Sequence, residues 1–507
     1  MKTTIRLFIT ILPFLYLSAA GPKAQAVVPP PDGGYPNFTT AEGQHALQNL
    51  TTGAANTAVG WRSLFSDTTG SFNTATGAGS LLFNTADANT AYGAAALLFN
   101  TTGTNNTALG AAALLNNADG SDNTATGYQA LSNNTTGGSN TANGVHALFS
   151  NTSGIDNVAN GFEALFHNVN GNFNTATGVD ALFSNTDGLN NTATGSDALF
   201  SNTNGVQNTA TGSTALANNT TGFGNTANGF EALLSNNTGQ FNTANGATAL
   251  HNNTTGTINV AIGQQALFSN TMGDTNVAVG ASALFTNTIG NNNVAIGFTA
   301  LQNNTGTANI ALGSAAGIAL TTGNSNIDIG AQGVAGESNT LRIGSSQFNT
   351  FISGISGTTV PGGVAVIVGA DGHLGTMVSS ARFKDEIKPM DQASEAILGL
   401  KPVTFCYKKE LDPNSIPQFG LVAEDVEAVN PDLVVRDKNG EIYSVRYEAV
   451  NAMLLNEFLK EHRKVEKLEA ALEALTARLN EHDARIQQVS EQLEWKTPAT
   501  PLAVSNR

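Results

Sequence analysis

One pattern of apolar and polar residues repeats through the middle of the chain. Its consensus is G-x-x-A-L-F-S-N-T-T-G-x-x-N-T-A-T, and its opening glycine recurs in 19 registers between Gly43 and Gly344. The step is 17 residues with one slip to 16, and the last registers are spaced slightly differently. A unit of this length is too short for a helical hairpin and suits one coil of a parallel β-solenoid.

Each repeat contains residues that favour a short strand and a sharp corner. The Thr- and Val-rich pentapeptides N-T-A-T-G and N-V-A-I-G favour strands. We expect glycine and the in-phase asparagines, such as Asn174 and Asn191, to supply left-handed corner positions. Stacked asparagines can also form hydrogen-bonded ladders from coil to coil. Nineteen registers make 18 steps, so at ~4.8 Å per step the rod is about 85 Å long.

The repeat also carries more apolar bulk than one thin coil is expected to bury. The Leu-Phe pair, for example Leu182-Phe183, recurs in several coils. Burial between chains would cover these side chains, which predicts an oligomer. The N-V-A-I-G segments at 259–263 and 293–297 resemble the head repeats of trimeric autotransporter adhesins. That resemblance implies left-handed parallel β-rolls packed as a trimer, although the repeat here is longer.

After Gly344 the period fades and the charge density rises. We expect strands around 350–355 and 364–368, the latter followed by a turn at Asp371-Gly372. From residue 379 the pattern predicts a small α/β module. Its expected elements are a helix over 391–398, a strand over 403–408, a strand running into a short helix over 419–429, and a hairpin turning at 437–440.

An unbroken heptad pattern follows from residue 451 to residue 493. Apolar residues at this spacing form a coiled-coil seam, and polar layers such as Glu461 and His482 can fix register and chain number. The a and d positions are Leu454, Phe458, Glu461, Val465, Leu468, Leu472, Leu475, Leu479, His482, Ile486, Val489 and Leu493.

Four short motifs stand in order before and at the start of this heptad segment. They are S-S-A-R-F-K at 379–384, G-L-V-A-E-D-V at 420–426, Pro431, and V-R-Y-E-A-V at 445–450. From residue 379 to about 475 the chain resembles the intramolecular chaperone domain of endosialidases and other phage tailspikes. That family is self-cleaving, so the resemblance implies a homotrimeric chaperone that is also a peptidase.

The resemblance assigns a role to each residue of the first motif that matches the family. Ser379 matches the nucleophile and Lys384 the base, which places the cut at the Val378-Ser379 bond. Alignment on Arg382-Phe383-Lys384 favours Ser379, with the adjacent Ser380 as the alternative nucleophile. A Ser-Lys pair can cleave an acyl bond without histidine, provided that the lysine is uncharged. Without the resemblance, a serine and a lysine five residues apart would carry little information.

The N-terminal residues predict export. Lys2 and Arg6 precede an apolar core over residues 7–20, and Ala24-Gln25-Ala26 supplies the small-x-small pattern of a signal-peptidase site. An N-terminal anchor helix is the alternative, but the apolar run is short and Pro13 interrupts it. We therefore expect a bacterial protein that is secreted or displayed at the cell surface, without a membrane span in the mature chain.

Charge and cysteine content narrow the possible partners. Residues 27–378 contain two basic and 16 acidic side chains, which argues against nucleic acid or an anionic membrane surface. Cys406 is the single cysteine, so an intrachain disulfide is impossible, and we expect it to pack as a small hydrophobe. The repeat has no paired carboxylates for glycan hydrolysis and no calcium-binding nonapeptide, so we expect neither a cofactor nor a metal.

Two functions from different classes remain. In the first, the C-terminal module is a self-cleaving chaperone that assembles a homotrimeric fibre, which may bind a surface glycan or another cell-surface ligand. In the second, the chain is a permanent structural or adhesive fibre and the module is only a trimer clamp. The predicted segments are a signal peptide (1–26), a Pro/Gly-rich linker (27–42), the β-solenoid (43–344), a β-rich connector (345–378), the chaperone domain (379–450), the coiled coil (451–495) and a tail (496–507).

Overall fold

The computed structural model describes residues 36–347, 349–353, 355, 360–369 and 371–495. The predicted signal peptide, linker residues 27–35 and the predicted tail therefore lie outside the described residues. The chain divides into two compact units between Thr350 and Phe351.

The first unit is a parallel β-solenoid, as the repeat predicts. Nineteen strands of three residues each pair in register with the next strand along the chain, so that Thr175, Thr192 and Thr209 are neighbours in three successive coils. A 3₁₀ turn, Pro36–Phe38, precedes them. The strands are β1 (Thr40–Glu42), β2 (Thr57–Val59), β3 (Thr74–Thr76), β4 (Thr90–Tyr92), β5 (Thr107–Leu109), β6 (Thr124–Thr126), β7 (Thr141–Asn143), β8 (Val158–Asn160), β9 (Thr175–Thr177), β10 (Thr192–Thr194), β11 (Thr209–Thr211), β12 (Thr226–Asn228), β13 (Thr243–Asn245), β14 (Val260–Ile262), β15 (Val277–Val279), β16 (Val294–Ile296), β17 (Ile310–Leu312), β18 (Ile327–Ile329) and β19 (Leu341–Ile343).

The interior of the solenoid is a column of small and branched apolar side chains. In a typical coil the middle residue of the strand, such as Ala193, is buried, while the residues on either side of it face outward. Ala181 and Leu182 of the A-L-F run are also fully buried. Burying one leucine side chain contributes about 1.5–3 kcal/mol, so the repeated leucine supplies much of the stability of each coil.

The expectation that the Leu-Phe pair needs a second chain is wrong for the leucine. Leu182 is enclosed by its own coil and its neighbours, whereas Phe183 lies on the outside. Its ring stacks at a centroid distance of 5.3 Å on Phe166 and 5.1 Å on Phe200. Adjacent residues of the run therefore point to opposite sides of the coil wall, and the phenylalanines cover each other.

The corners confirm the prediction for glycine but not for the in-phase asparagines. Gly178 has φ 138°, and a Cβ there would lie 2.4 Å from the carbonyl oxygen of Gly195, so only glycine fits this close approach. The in-phase Asn191 is not in the left-handed region; Asp180 and Leu182 are, with φ of 54° and 52°. Leucine is an unusual residue for this conformation, and its burial offsets the backbone strain.

The in-phase asparagines form a buried hydrogen-bonded ladder, as predicted. The backbone N–H of Asn191 donates to Oδ1 of Asn174 at 3.0 Å, and its Nδ2 donates to the same oxygen at 3.1 Å. Nδ2 of Asn191 also donates to the carbonyl of Gly205 at 2.8 Å. A second ladder, not predicted, links Nδ2 of Asn185 to Oδ1 of Asn168 at 2.8 Å.

The second unit consists of three hairpins, short helical turns and one long helix. The hairpins pair β20 (Val366–Val368) with β21 (Leu374–Thr376), β22 (Val403–Phe405) with β23 (Gln418–Gly420), and β24 (Val434–Arg436) with β25 (Ile442–Val445). The helical elements are the 3₁₀ helices Ala381–Phe383, Asp391–Gly399 and Pro431–Leu433 and the α-helices α1 (Ala423–Val429) and α2 (Tyr447–Glu494). A small core of Val426, Leu433, Val445 and Met453 joins α1, β25 and the start of α2.

Two local predictions for this unit are wrong. Residues 350–353 and 355 do not form a strand, because no neighbouring strand pairs with them in the described part of the chain. Cys406 is exposed, since none of the described segments packs over this position, and its Sγ donates to the carbonyl of Ser415 at 3.3 Å. The helices within the described residues include none with the length and apolar character needed to cross a bilayer.

Candidate functional site

The first residues of the α/β module bring the predicted nucleophile and base into contact. The 3₁₀ helix Ala381–Phe383 turns the chain back on itself, with the N–H of Lys384 donating to the carbonyl of Ala381 at 3.1 Å. As a result, Nζ of Lys384 donates a hydrogen bond to Oγ of Ser379 at 3.2 Å. This is the contact through which a neutral amine could take the proton of a serine hydroxyl.

The bond predicted to be cut lies next to this pair. Val378 follows shortly after strand β21 (Leu374–Thr376), and its side chain is exposed, as are those of Ser379 and Lys384. Val378, Ser379 and Lys384 are therefore all exposed to solvent in the single chain. The side chains of Ser379 and Lys384 are already within hydrogen-bonding distance of each other.

The other residues of the motif are placed around the pair. The guanidinium of Arg382 lies over the ring of Phe383, 4.5 Å from its centroid, and so stacks on the side of the turn. Ser380 is the residue before the 3₁₀ helix, and its carbonyl accepts from the N–H of Phe383 at 3.0 Å. Among the described contacts, Lys384 bonds Ser379 and not Ser380. This agrees with the preference for Ser379 as the nucleophile.

A second polar cluster lies in the same module and was not predicted. The hydroxyl of buried Ser394 receives a hydrogen bond from Nδ2 of Asn456 at 2.7 Å and also bonds the carboxylate of Glu457. Nζ of Lys460 donates to the same carboxylate at 2.6 Å, and this bond lowers the pKa of Glu457. The cluster fastens the 3₁₀ helix Asp391–Gly399 to α2.

The geometry of this cluster indicates a structural role. Ser394 is fully buried, so its hydroxyl cannot reach a peptide bond of another segment. The sequence offered one weak signal, the spacing of Glu457 and Lys460 by three residues on one helix. Ser394 lies 62 residues before Asn456, so its part in the cluster depends on the tertiary fold.

A metal centre is not formed by the described residues. Within those ranges, no three or more His, Cys, Asp or Glu side chains come close enough to share an ion. The site is therefore described by serine, lysine and the backbone around them.

Comparison with protein families identifies the segment that carries this pair. Residues 379–435 match the family model described as chaperone of endosialidase. The match is to a peptidase family, it begins at Ser379, and it includes Lys384. The match confirms the resemblance that the sequence motifs indicate. It covers well under half of the chain. No curated protein matches the chain in a sequence search.

The family match and the fold together define the kind of protein. A long parallel β-solenoid precedes a segment of the endosialidase chaperone family. This combination supports a fibre-like protein with a C-terminal intramolecular chaperone.

Proposed function

We propose that the C-terminal module assembles three copies of an exported solenoid fibre and then cuts the Val378-Ser379 bond with a Ser-Lys dyad. The observation that carries the proposal is the 3.2 Å hydrogen bond between Nζ of Lys384 and Oγ of Ser379. It occurs at the first residue of a segment that matches a peptidase family. The predicted signal peptide supports export to the cell surface or the medium.

The long helix supports assembly of several copies. Helix α2 exposes its heptad positions in the single chain, and Leu472, for example, is 64% exposed. A row of exposed leucines along a helix of 48 residues is stable in water when other helices cover it. Three copies of this helix forming a coiled coil would bury the row, and this supplies the clamp that the chaperone needs.

The proposed reaction is an intramolecular acyl shift followed by hydrolysis. The uncharged amine of Lys384 takes the proton of the Ser379 hydroxyl, and Oγ attacks the carbonyl carbon of Val378. The C–N bond to the nitrogen of Ser379 breaks as the lysine returns the proton to that nitrogen, which leaves an ester between Val378 and Oγ. Water then hydrolyses the ester to the Val378 carboxylate and the free Ser379 hydroxyl.

Assembly can switch this reaction on. In the single chain both members of the pair are exposed to water. Burial disfavours the charged form of an amine. Neighbouring copies that cover the pair would therefore make Lys384 a base only after the trimer has formed, so that cleavage reports correct assembly.

The test is to weigh the denatured chains of residues 27–507 by mass spectrometry. The unmodified chain should yield two fragments that divide before Ser379, and Ser379→Ala should remain intact. Ser380→Ala is the matched control and should divide like the unmodified chain. If only Ser380→Ala stays intact, the nucleophile is Ser380.

The second candidate is a fibre whose module stays attached as a permanent clamp. The solvent exposure of the pair in the described chain favours it, because an exposed dyad is a poor catalyst. An unmodified chain that remains intact in a folded trimer would establish this function. In both cases the rod could present its outer surface to a glycan or another ligand at a cell surface.

A further inference from the structure

The outward-facing strand residues of the solenoid change character abruptly along the rod. In β9 to β13 these positions hold only threonine and asparagine, as in Thr209 and Thr211. From β14 onward they hold only valine, isoleucine and leucine. We call these twelve residues the apolar face: Val260, Ile262, Val277, Val279, Val294, Ile296, Ile310, Leu312, Ile327, Ile329, Leu341 and Ile343.

The residues of the apolar face form continuous rows across six coils. Parallel pairing aligns Ile262 with Val279, Val279 with Ile296, and Ile296 with Leu312. Ile262 is 41% exposed, Ile296 is 40% exposed, and Ile343 at the end of the rod is 67% exposed. A contiguous exposed apolar patch of this kind marks a surface that packs against something.

The first four coils that carry the apolar face are also nearly uncharged, while the last two contain the buried Asp328 and the ion pair of Glu337 with Arg342. Asp274 is the only charged residue between 251 and 327, whereas residues 119–231 contain eight acidic side chains and no lysine or arginine. The chain has a net charge of −16, so two copies repel each other along most of their length. The apolar coils are the part of the rod where copies can approach at the least electrostatic cost.

The neighbouring segments along the chain show the same exposed apolar character. Strand β20 (Val366–Val368) exposes all three of its side chains, and Leu374 opposite Val368 is also exposed. Farther along the chain, α2 exposes the leucines of its heptad positions, such as Leu472. Another copy of the chain exposes the same apolar rows and can therefore cover each of them.

We propose that the apolar face packs against the apolar faces of two other copies, and that the Thr/Asn-bearing coils β9 to β13 stay open to solvent. This inference rests on the proposed trimer and specifies the part of the rod that takes part in it. The fibre would then be joined over its last six coils and would present separate polar strand faces farther toward the N-terminus.

The size of the face explains why a chaperone would be needed. Six stacked strands span about 24 Å, and a strand of three residues is about 10 Å long, so the footprint is about 250 Å². Stable association usually needs about 800 Å² from each partner. The apolar face is too small to hold free copies together, and it closes when the C-terminal module has already gathered them.

Cysteine cross-linking tests the position of this contact. We would place one cysteine on the apolar face, Ile296→Cys, and one at the same strand position of a polar coil, Thr211→Cys. Both would carry Cys406→Ser to remove the native thiol and Ser379→Ala to keep the module attached. With a short bifunctional maleimide, Ile296→Cys should give covalently linked chains, and Thr211→Cys should give at least tenfold fewer.

The mass of the native assembly is measured on the same samples, together with their circular dichroism to check folding. A folded trimer in which Ile296→Cys does not cross-link, or cross-links no better than Thr211→Cys, would overturn the proposed packing of the apolar face. The proposed trimer itself would not be contradicted by that result. A folded monomer would overturn both the trimer and the face. A Val294→Thr, Ile296→Thr variant, which recreates the native N-T-A-T coil, should remain folded and should abolish cross-linking of an added Ile262→Cys.

Discussion

At the scale of single residues, one buried carboxylate departs from the repeat. Asp328 stands in β18 where the preceding coil has Ala311, and it is completely buried. Neither of its oxygens has a hydrogen-bond partner among the described residues. The pKa of Asp328 is raised to about 6, mainly by burial and to a smaller extent by the charge of Glu337, while Arg342 opposes the shift.

This carboxylate makes the end of the rod sensitive to pH. The pKa of Asp328 in the folded chain lies above its usual value of 3.8, so folding favours the protonated form. The last coils should therefore gain stability as the pH falls from above 6 toward 4, and lose it again as the pH rises through 6. At pH 7.5, Asp328→Ala should raise the free energy of opening of the β18 and β19 amides by up to about 3 kcal/mol. At pH 4 the same substitution should raise it only slightly.

Hydrogen exchange, corrected for intrinsic rates at each pH, measures this protection. Asp274→Ala is the matched control, because Asp274 bonds the backbone of Thr257 at a partly exposed turn outside the core column. Equal or lower protection in Asp328→Ala at pH 7.5 would show that the buried carboxylate does not cost stability.

The proposed base is also tested by a single substitution. Lys384→Ala removes the group that takes the serine proton, and we expect the rate of cleavage to fall by about 10²–10⁴-fold. Lys388→Ala is the control, because that lysine pairs with Glu386 at 3.1 Å on the exposed side of the same segment. The rate is read from the fraction of divided chains against time, and a Lys384→Ala chain that divides as fast as its parent would exclude this lysine as the base.

Residue-level prediction was most informative where a motif is local. Ser379 and Lys384 were paired from the resemblance of their motif to the chaperone family, and the short turn between them brings the two side chains into contact. The buried role of Ser394 was not foreseen, since its partners come from α2. The left-handed backbone of Leu182 was also missed, because that conformation is stabilised by the coils stacked on either side of it.

At the scale of the elements, the solenoid coil depends on its buried asparagines. Asn208 donates through its backbone and its Nδ2 to Asn191, and its Oδ1 accepts from the N–H of Asn225. Its Nδ2 also satisfies the carbonyl of Gly222. Removing this side chain leaves several buried polar groups without partners, each of which costs about 1–3 kcal/mol.

We therefore expect Asn208→Ala to lower the free energy of unfolding of the rod by about 2–4 kcal/mol. Asn204→Ala, at an exposed position that accepts a bond from Thr186 at 3.0 Å, should change it by less than about 0.5 kcal/mol. Chemical denaturation followed by circular dichroism gives both values. A loss in Asn208→Ala no larger than that in Asn204→Ala would mean that the ladder is not a source of stability.

The elements of the rod could be predicted because each coil repeats the same environment. A buried alanine and a buried leucine at fixed phase are enough to indicate one coil, and the stacking follows from the period. The hairpin turning at 437–440 was found for a similar reason, since Asn439-Gly440 is a strong turn signal between β24 and β25. The strand expected around 350–355 was wrong, because the apolar residues of that segment carry no information about a partner strand.

At the scale of the whole molecule, the chain consists of an acidic solenoid followed by a module that, in the proposed function, brings copies together. The rod supplies its own core and leaves the apolar face exposed to solvent. The module exposes the leucines of α2. In the proposed trimer, the C-terminal modules would hold three acidic rods together despite their mutual repulsion.

The measurement that tests this account most directly is the native mass of the Ser379→Ala chain, in which the module cannot be lost by cleavage. We expect an assembly of three chains, each close to 52.1 kDa less the predicted signal peptide. Adding Leu472→Glu in the seam should separate the chains, whereas adding Glu473→Gln beside it should leave the trimer intact. A folded Ser379→Ala chain that weighs as a monomer would contradict the account, because neither a chaperone of assembly nor its clamp would then have a partner.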